Sequence, residues 1–220
     1  MKKRIVILIS GRGSNMEAIL KAAADPAYPA QVVAVLANRA SARGLETAAA
    51  AGIATAALDH KAYPDRESFD AALAEAIDAH APDLVVLAGF MRILSEGFVR
   101  HYEGRLINIH PSLLPAFPGL HTHRRALEEG CRIHGCTVHF VTPALDHGPI
   151  IIQAAVPVLD GDDEDTLAHR VLAQEHLVYP AAVRWFAEGR LRLVAGRVLL
   201  TDQGDEPAAG ALVAPALAAR

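Results

Sequence analysis

Apolar residues at 5–9, 32–36 and 84–88 follow one another without a polar break, and a fourth run at 106–109 is interrupted only by Asn108. All four are short and rich in β-branched residues. Unbroken apolar runs of this length predict strands covered on both faces. Between them lie helical patterns at 16–24, 42–51 and 66–80. The second runs into Gly52, a residue suited to a left-handed helix end. The third sets Phe69, Leu73, Ala76 and Ile77 on one stripe at the helical period. A weaker run at 53–58 adds a further strand.

Strand and helix in alternation predict a doubly wound α/β fold with a mostly parallel, Rossmann-like sheet. After His110 the texture changes. Pro111, Pro115, Pro118 and Gly119 predict an extended loop. Residues 134–142 and 149–156 then read as strands around a turn containing Asp146, and together they form a C-terminal antiparallel part. Residues 163–186 read as one long helix, opened by acidic residues that suit its N-terminus. Residues 191–200 read as a small hairpin around Gly196. From residue 201 the composition turns to Gly, Pro, Ala and Asp, and a loose tail is expected. No internal repeat and no strong domain boundary appear, so residues 1–200 are expected to form a single domain, with 201–220 as the tail.

The chain has 220 residues, 52% of them hydrophobic, with a net charge of −4. That length buries a full core without staples, and the absence of a basic excess argues against nucleic acid as a partner. Much of the hydrophobic fraction is alanine, so Val, Ile and Leu in the strands must carry the core. The two cysteines, Cys131 and Cys136, match no zinc spacing and suit a reduced setting, hence a cytoplasmic location. The N-terminal MKKRIVILIS has too short an apolar run for a secretory signal, and no run is long enough to span a membrane.

In a doubly wound sheet, ligands gather at the carboxyl ends of the strands. The first strand ends in Ser10-Gly11-Arg12-Gly13-Ser14-Asn15. Two readings fit: a phosphate loop, in which glycine allows close approach and a helix N-terminus offers free N–H groups, or only a tight turn with a Ser or Asn cap. Neither the full dinucleotide fingerprint nor a Walker lysine is present. The fourth strand ends in Gly89-Phe90-Met91-Arg92-Ile93-Leu94, which reads as loop packing or as the wall of a flat pocket. The fifth delivers Asn108 and His110 on one face, with Ile107 and Ile109 on the other, and Pro111 then stops the ladder. An imidazole that moves protons near neutral pH beside a carboxamide donor fits catalysis. A hydrogen-bonded core histidine fits as well. Asp146 would favour a charged imidazole if it folded back beside His110; otherwise it is a turn residue. Seven of the 11 histidines fall between residues 101 and 147, including His121-x-His123, yet no paired zinc motif accompanies them.

The motifs ISGRGSN, VVLAGFMRIL, INIHPSLLPAFPGLHTHRRALE, HGCTVHFV, LDHGPII and QEHLVYP occur in this order. With them the chain resembles the folate-dependent formyltransferases, within them the phosphoribosylglycinamide formyltransferase (glycinamide ribonucleotide transformylase) family, over about residues 4–193. The resemblance implies transfer of a formyl group from 10-formyltetrahydrofolate, a co-substrate, to the amine of glycinamide ribonucleotide in purine biosynthesis, with no metal. It implies a catalytic trio of Asn108, His110 and Asp146. Gly13, Ser14 and Asn15 match the loop that holds the ribonucleotide phosphate, and Glu175 matches a glutamate that contacts the same substrate. Arg66, Met91, Arg92, Ile93, Leu94 and Asn108 match the folate pocket, as do Thr142, Pro143, Ala144, Leu145 and Asp146. The N-terminal half is thus expected to bind phosphate and the C-terminal half folate. Two departures stand out: His147-Gly148 where the family often has Gly-Gly, and Arg12 in a variable slot of the phosphate loop. Formyltetrahydrofolate hydrolase shares the trio, and a non-catalytic phosphate- or nucleotide-binding module is the rival of another class. Methionyl-tRNA formyltransferase carries an RNA-binding domain for which this acidic chain has no room. A homodimer is left open.

Overall fold

A computed structural model describes residues 1–201; the expected tail beyond Thr201 lies outside the described residues. Seven strands form one sheet: β1 (Lys3–Ile9), β2 (Ala30–Ala37), β3 (Ala54–Ala57), β4 (Leu84–Leu87), β5 (Leu106–His110), β6 (Ile133–Phe140) and β7 (Ile150–Pro157). Their order is β3-β2-β1-β4-β5-β6-β7. The first five pair in parallel, whereas β6 pairs antiparallel with both β5 and β7. The chain winds outward from β1 to β3, returns to β4 on the other side of β1, and so creates a switch point between β1 and β4, the expected place for a ligand crevice.

The helices are α1 (Ser14–Ala23), α2 (Gly44–Ala50), α3 (Arg66–Asp78), α4 (Glu96–His101), α5 (Thr122–Glu128) and α6 (Glu164–Ala187). On one face of the sheet, Met16 and Ile19 of α1 and Leu167, Val171, Tyr179 and Val183 of α6 pack on Ile5, Ile7, Ile9, Ile107 and Ile109. On the other, Phe69, Leu73 and Ile77 of α3 and Phe98 and Val99 of α4 pack on Val6, Leu8, Val85 and Leu106. Coverage on both faces is why the strands read as continuous apolar runs. The two edge strands are the exceptions: all four residues of β3 are exposed and only Val156 of β7 is buried; the alanine-rich sequence of β3 gave the weakest strand signal.

Two short helices, α4 and α5, carry no clear periodicity in the sequence because neither completes two full turns. The Ser95 side chain accepts from the Phe98 N–H to start α4. The long helix opens on Asp163, which forms a reciprocal capping box with Thr166. Pro180 inside α6 has its own carbonyl taken by the Tyr28 hydroxyl at 2.7 Å. A small hairpin, β8 (Leu191–Val194) and β9 (Arg197–Leu200), closes the described chain as a second sheet. No helix among the described residues is long and apolar enough to cross a membrane.

The turn between β6 and β7 is fixed by a close approach. A Cβ added at Gly148 would stand 1.7 Å from the Phe140 carbonyl oxygen, so nothing larger than glycine fits. Gly148→Ala is expected to cost about 1–3 kcal/mol and to lower the melting temperature by at least about 3 °C, as read by thermal unfolding. It should also displace the neighbouring Asp146 loop.

Candidate active site

At the end of β1, Ser10 is buried and its hydroxyl accepts from the Met91 N–H at 2.8 Å. That contact ties the β1–α1 loop to the segment after β4. Gly13 adopts φ 78°, a left-handed conformation that costs a residue with a side chain, and precedes α1. Among the described residues no side chain caps α1, so its first N–H groups are free for an anion. Inside the first turn, the Asn15 side chain donates from Nδ2 to Glu175 Oε2 at 2.7 Å. Its Oδ1 is buried without a hydrogen-bond partner.

Glu175 is carried by α6. One turn later, the buried Tyr179 hydroxyl donates to the backbone oxygens of Leu87 and Ile107, at 2.9 and 3.2 Å. This fixes α6 under the ends of β4 and β5 and aims Glu175 at the switch point. Burial raises the Glu175 carboxyl above its ordinary value, against the opposing hydrogen bond from Asn15. A buried carboxyl with only an amide for company has acceptor capacity to offer a ligand's hydroxyl or amine.

β5 ends in Asn108 and His110. The His110 ring places Nε2 2.9 Å from the Phe117 carbonyl oxygen and Nδ1 3.5 Å from Asp146 Oδ2. Both side chains are less than a tenth exposed. Asp146 Oδ2 also accepts from the Gly119 N–H at 2.8 Å. Carbonyl and carboxylate oxygens only accept, so both ring nitrogens face acceptors, one within hydrogen-bond distance and one just beyond it. Asp146, Phe117 and His121 all adopt positive φ, at 50°, 53° and 57°. Such backbone strain held beside a polar cluster marks a site more than a scaffold.

These groups line one open cleft of about 800 Å³. Asn15 and Glu175 line it together with Asn108, His110 and Asp146. Met91, Arg92, Ile93 and Leu94 after β4, and Thr142, Pro143 and Leu145 before Asp146, line it as well. Gly13 and Ser14 stand just before the lining residue Asn15. Arg66, exposed in the first turn of α3, and Ala144 do not line the cleft. His147, the departure after Asp146, is exposed. Met91, Ile93, Leu120 and Leu145 leave more than half of their surface exposed along the cleft wall, an apolar surface that awaits a ligand.

The sequence reading missed several contributors. Phe117 and Gly119 act through backbone atoms, which leave no side-chain signature. His139, Leu120 and His121 also line the cleft. Arg124 bridges Glu164 at 3.2 Å and His121 Nδ1 at 3.2 Å, joining α5 to the start of α6 at the rim. His123 and His134 stack edge to face, and burial pushes His134 down to about 4, so it is neutral at physiological pH. Burial likewise pushes the Cys136 thiol up to about 12, which keeps it an unreactive thiol. No group of three or more His, Cys, Asp or Glu among the described residues is arranged to hold a metal ion.

Comparison with known proteins gives the family. The phosphoribosylglycinamide formyltransferase of Escherichia coli is 58% identical over 203 residues, covering 92% of this chain and 96% of the relative. The enzyme of that name from Haemophilus influenzae is 42% identical, covering 87% and 90%. The crystal structure of glycinamide ribonucleotide transformylase 1 from Symbiobacterium toebii superposes with a TM-score of 0.89 at 52% identity, covering 91% and 95%. With residues 3–183 matched by the formyl transferase family model, this chain belongs to the formyl transferase family.

Proposed function

We propose that this chain transfers the formyl group of 10-formyltetrahydrofolate to the primary amine of glycinamide ribonucleotide, a step of purine biosynthesis. The observation that carries this reading is the meeting of His110 and Asp146 at 3.5 Å beside Asn108, in a cleft also lined by Asn15 from the uncapped first turn of α1. Relatives named for this activity match nearly end to end. The ribonucleotide phosphate sits on the N–H groups after Gly13, and Glu175 with Asn15 receives the sugar and glycinamide. The folate ring lies along Met91 to Leu94 and residues 142–146, where the apolar wall is exposed. All of this belongs to a single domain of residues 1–200. A cytoplasmic setting, where free thiols persist, suits it.

The neutral amine attacks the formyl carbon, and the carbonyl electrons move onto oxygen. Asn108 and the His110 imidazolium donate to that developing oxyanion, and fixed donors aimed at new charge lower the barrier. The 3.5 Å gap between His110 and Asp146 exceeds a hydrogen bond. The Nδ1–H is fixed in the ring plane, so rotation of the His110 ring out of this loose contact turns it toward the substrate oxygen. As the tetrahedral intermediate collapses, the C–N bond to the folate breaks. The proton lost by the amine ends on the departing folate nitrogen, relayed by His110 and Asp146 or by a water that they hold. No covalent bond to the protein forms.

The test is the change in folate absorbance on mixing protein and 10-formyltetrahydrofolate, with and without glycinamide ribonucleotide. Turnover that requires the ribonucleotide is expected. Equal turnover without it would identify a hydrolase, and binding of both substrates without turnover would identify a binding module.

A further inference from the structure

A further buried imidazole faces the reacting groups. His139 in β6 pairs across the sheet with Asn108 in β5 and is 2% exposed. Its Nδ1 stands 2.9 Å from the Phe140 carbonyl oxygen. Its Nε2 stands 3.3 Å from Nδ2 of Asn108. A carbonyl oxygen only accepts, so Nδ1 carries the hydrogen and Nε2 of the neutral ring is a bare acceptor. Burial holds His139 below the ordinary histidine value and so keeps it neutral, outweighing the Phe140 carbonyl and the Asp146 carboxylate, which favour the charged ring. His110, on the neighbouring strand, also disfavours a second charge.

A carboxamide has two faces of almost equal shape and opposite polarity. Facing a bare nitrogen, Asn108 must present its NH₂ group to β6, and one of the two hydrogens is held there. The orientation of the whole amide plane, and thus of the second Nδ2 hydrogen, is then fixed. We infer that His139 is a positioning residue: as a neutral acceptor of fixed tautomer it holds the Asn108 carboxamide so that a hydrogen, and not a lone pair, meets the formyl oxygen. The inference rests on the reaction proposed above. Without the acceptor, the flipped amide competes and sets oxygen against developing negative charge.

The experiment is a mutant cycle in the formyl-transfer assay. His139→Leu removes the acceptor, whereas His139→Gln restores one near the position of Nε2. His139→Asn keeps a donor for the Phe140 carbonyl but falls short of Asn108, and it stands in for the leucine variant should that one fail to fold. Loss of the acceptor is expected to lower kcat about 10- to 100-fold, the size of effect that misplacing a group produces, with both KM values changed less than about 3-fold. His139→Gln should recover most of the loss. In an Asn108→Ala background, removing the acceptor should cost nothing further, because the group it positions is gone. An active parent whose leucine or asparagine variant keeps full kcat overturns the inference. So does a glutamine variant that falls as far, or an equal loss in the Asn108→Ala background. A parent inactive with the ribonucleotide overturns the proposed reaction, and this inference with it.

Discussion

An Asp146→Asn variant is expected to fold as the parent does and to turn over about 100- to 1,000-fold more slowly. Asparagine tolerates the left-handed conformation that residue 146 adopts. Its side-chain oxygen also keeps the hydrogen bond from the Gly119 N–H. Only the negative charge disappears. The His110 ring then loses the negative charge 3.5 Å from Nδ1, which offsets the positive charge arising on the ring as it takes up and passes on a proton. Steady-state kinetics beside thermal unfolding check this: near-normal turnover would remove Asp146 from the chemistry, and a collapsed melting temperature would make its role structural.

His110→Ala is expected to reduce transfer about 1,000-fold or more, since donor and proton carrier vanish together, while ribonucleotide binding measured by calorimetry stays close to that of the parent. The loop at the start of α1 and Glu175 on α6 are joined to each other by the Asn15–Glu175 hydrogen bond, which does not involve the imidazole. The variant also strands the Phe117 carbonyl, which His110 satisfies at 2.9 Å. A stability loss of about 1 kcal/mol is therefore expected for a part-buried acceptor left to water, short of unfolding a domain of this size. Equal loss of ribonucleotide binding would show that His110 shapes the whole cleft and not the chemistry alone.

Much of the fold was legible because burial writes itself into composition. β1, β2, β4 and β5 are covered on both faces, and their sequences are apolar throughout or nearly so. Phe69, Leu73 and Ile77 do lie in the core against the sheet. The short helices α4 and α5 escaped, having too few turns to display a period, and β3 barely registered because nothing covers it.

The site divides along the same line. Asn108 and His110 were readable as a pair, since alternate residues of a strand share a face and Pro111 ends the ladder beside them. Asn15 followed from a glycine loop at a strand end. Asp146, Glu175 and His139 come to the same cleft only through distance in space. A carboxylate in a turn, a glutamate in a helix and a histidine in a strand are ordinary residues until topology brings them to one cleft. By itself the sequence determined which residues must be buried, where strands end, and that an amide and an imidazole emerge together from one of them. Only the tertiary structure decided which charge meets that imidazole and which nitrogen holds that amide. Periodicity is a local property of the chain, whereas the hydrogen bond between β5 and β6 and the approach of residue 146 to residue 110 depend on strand register and loop path.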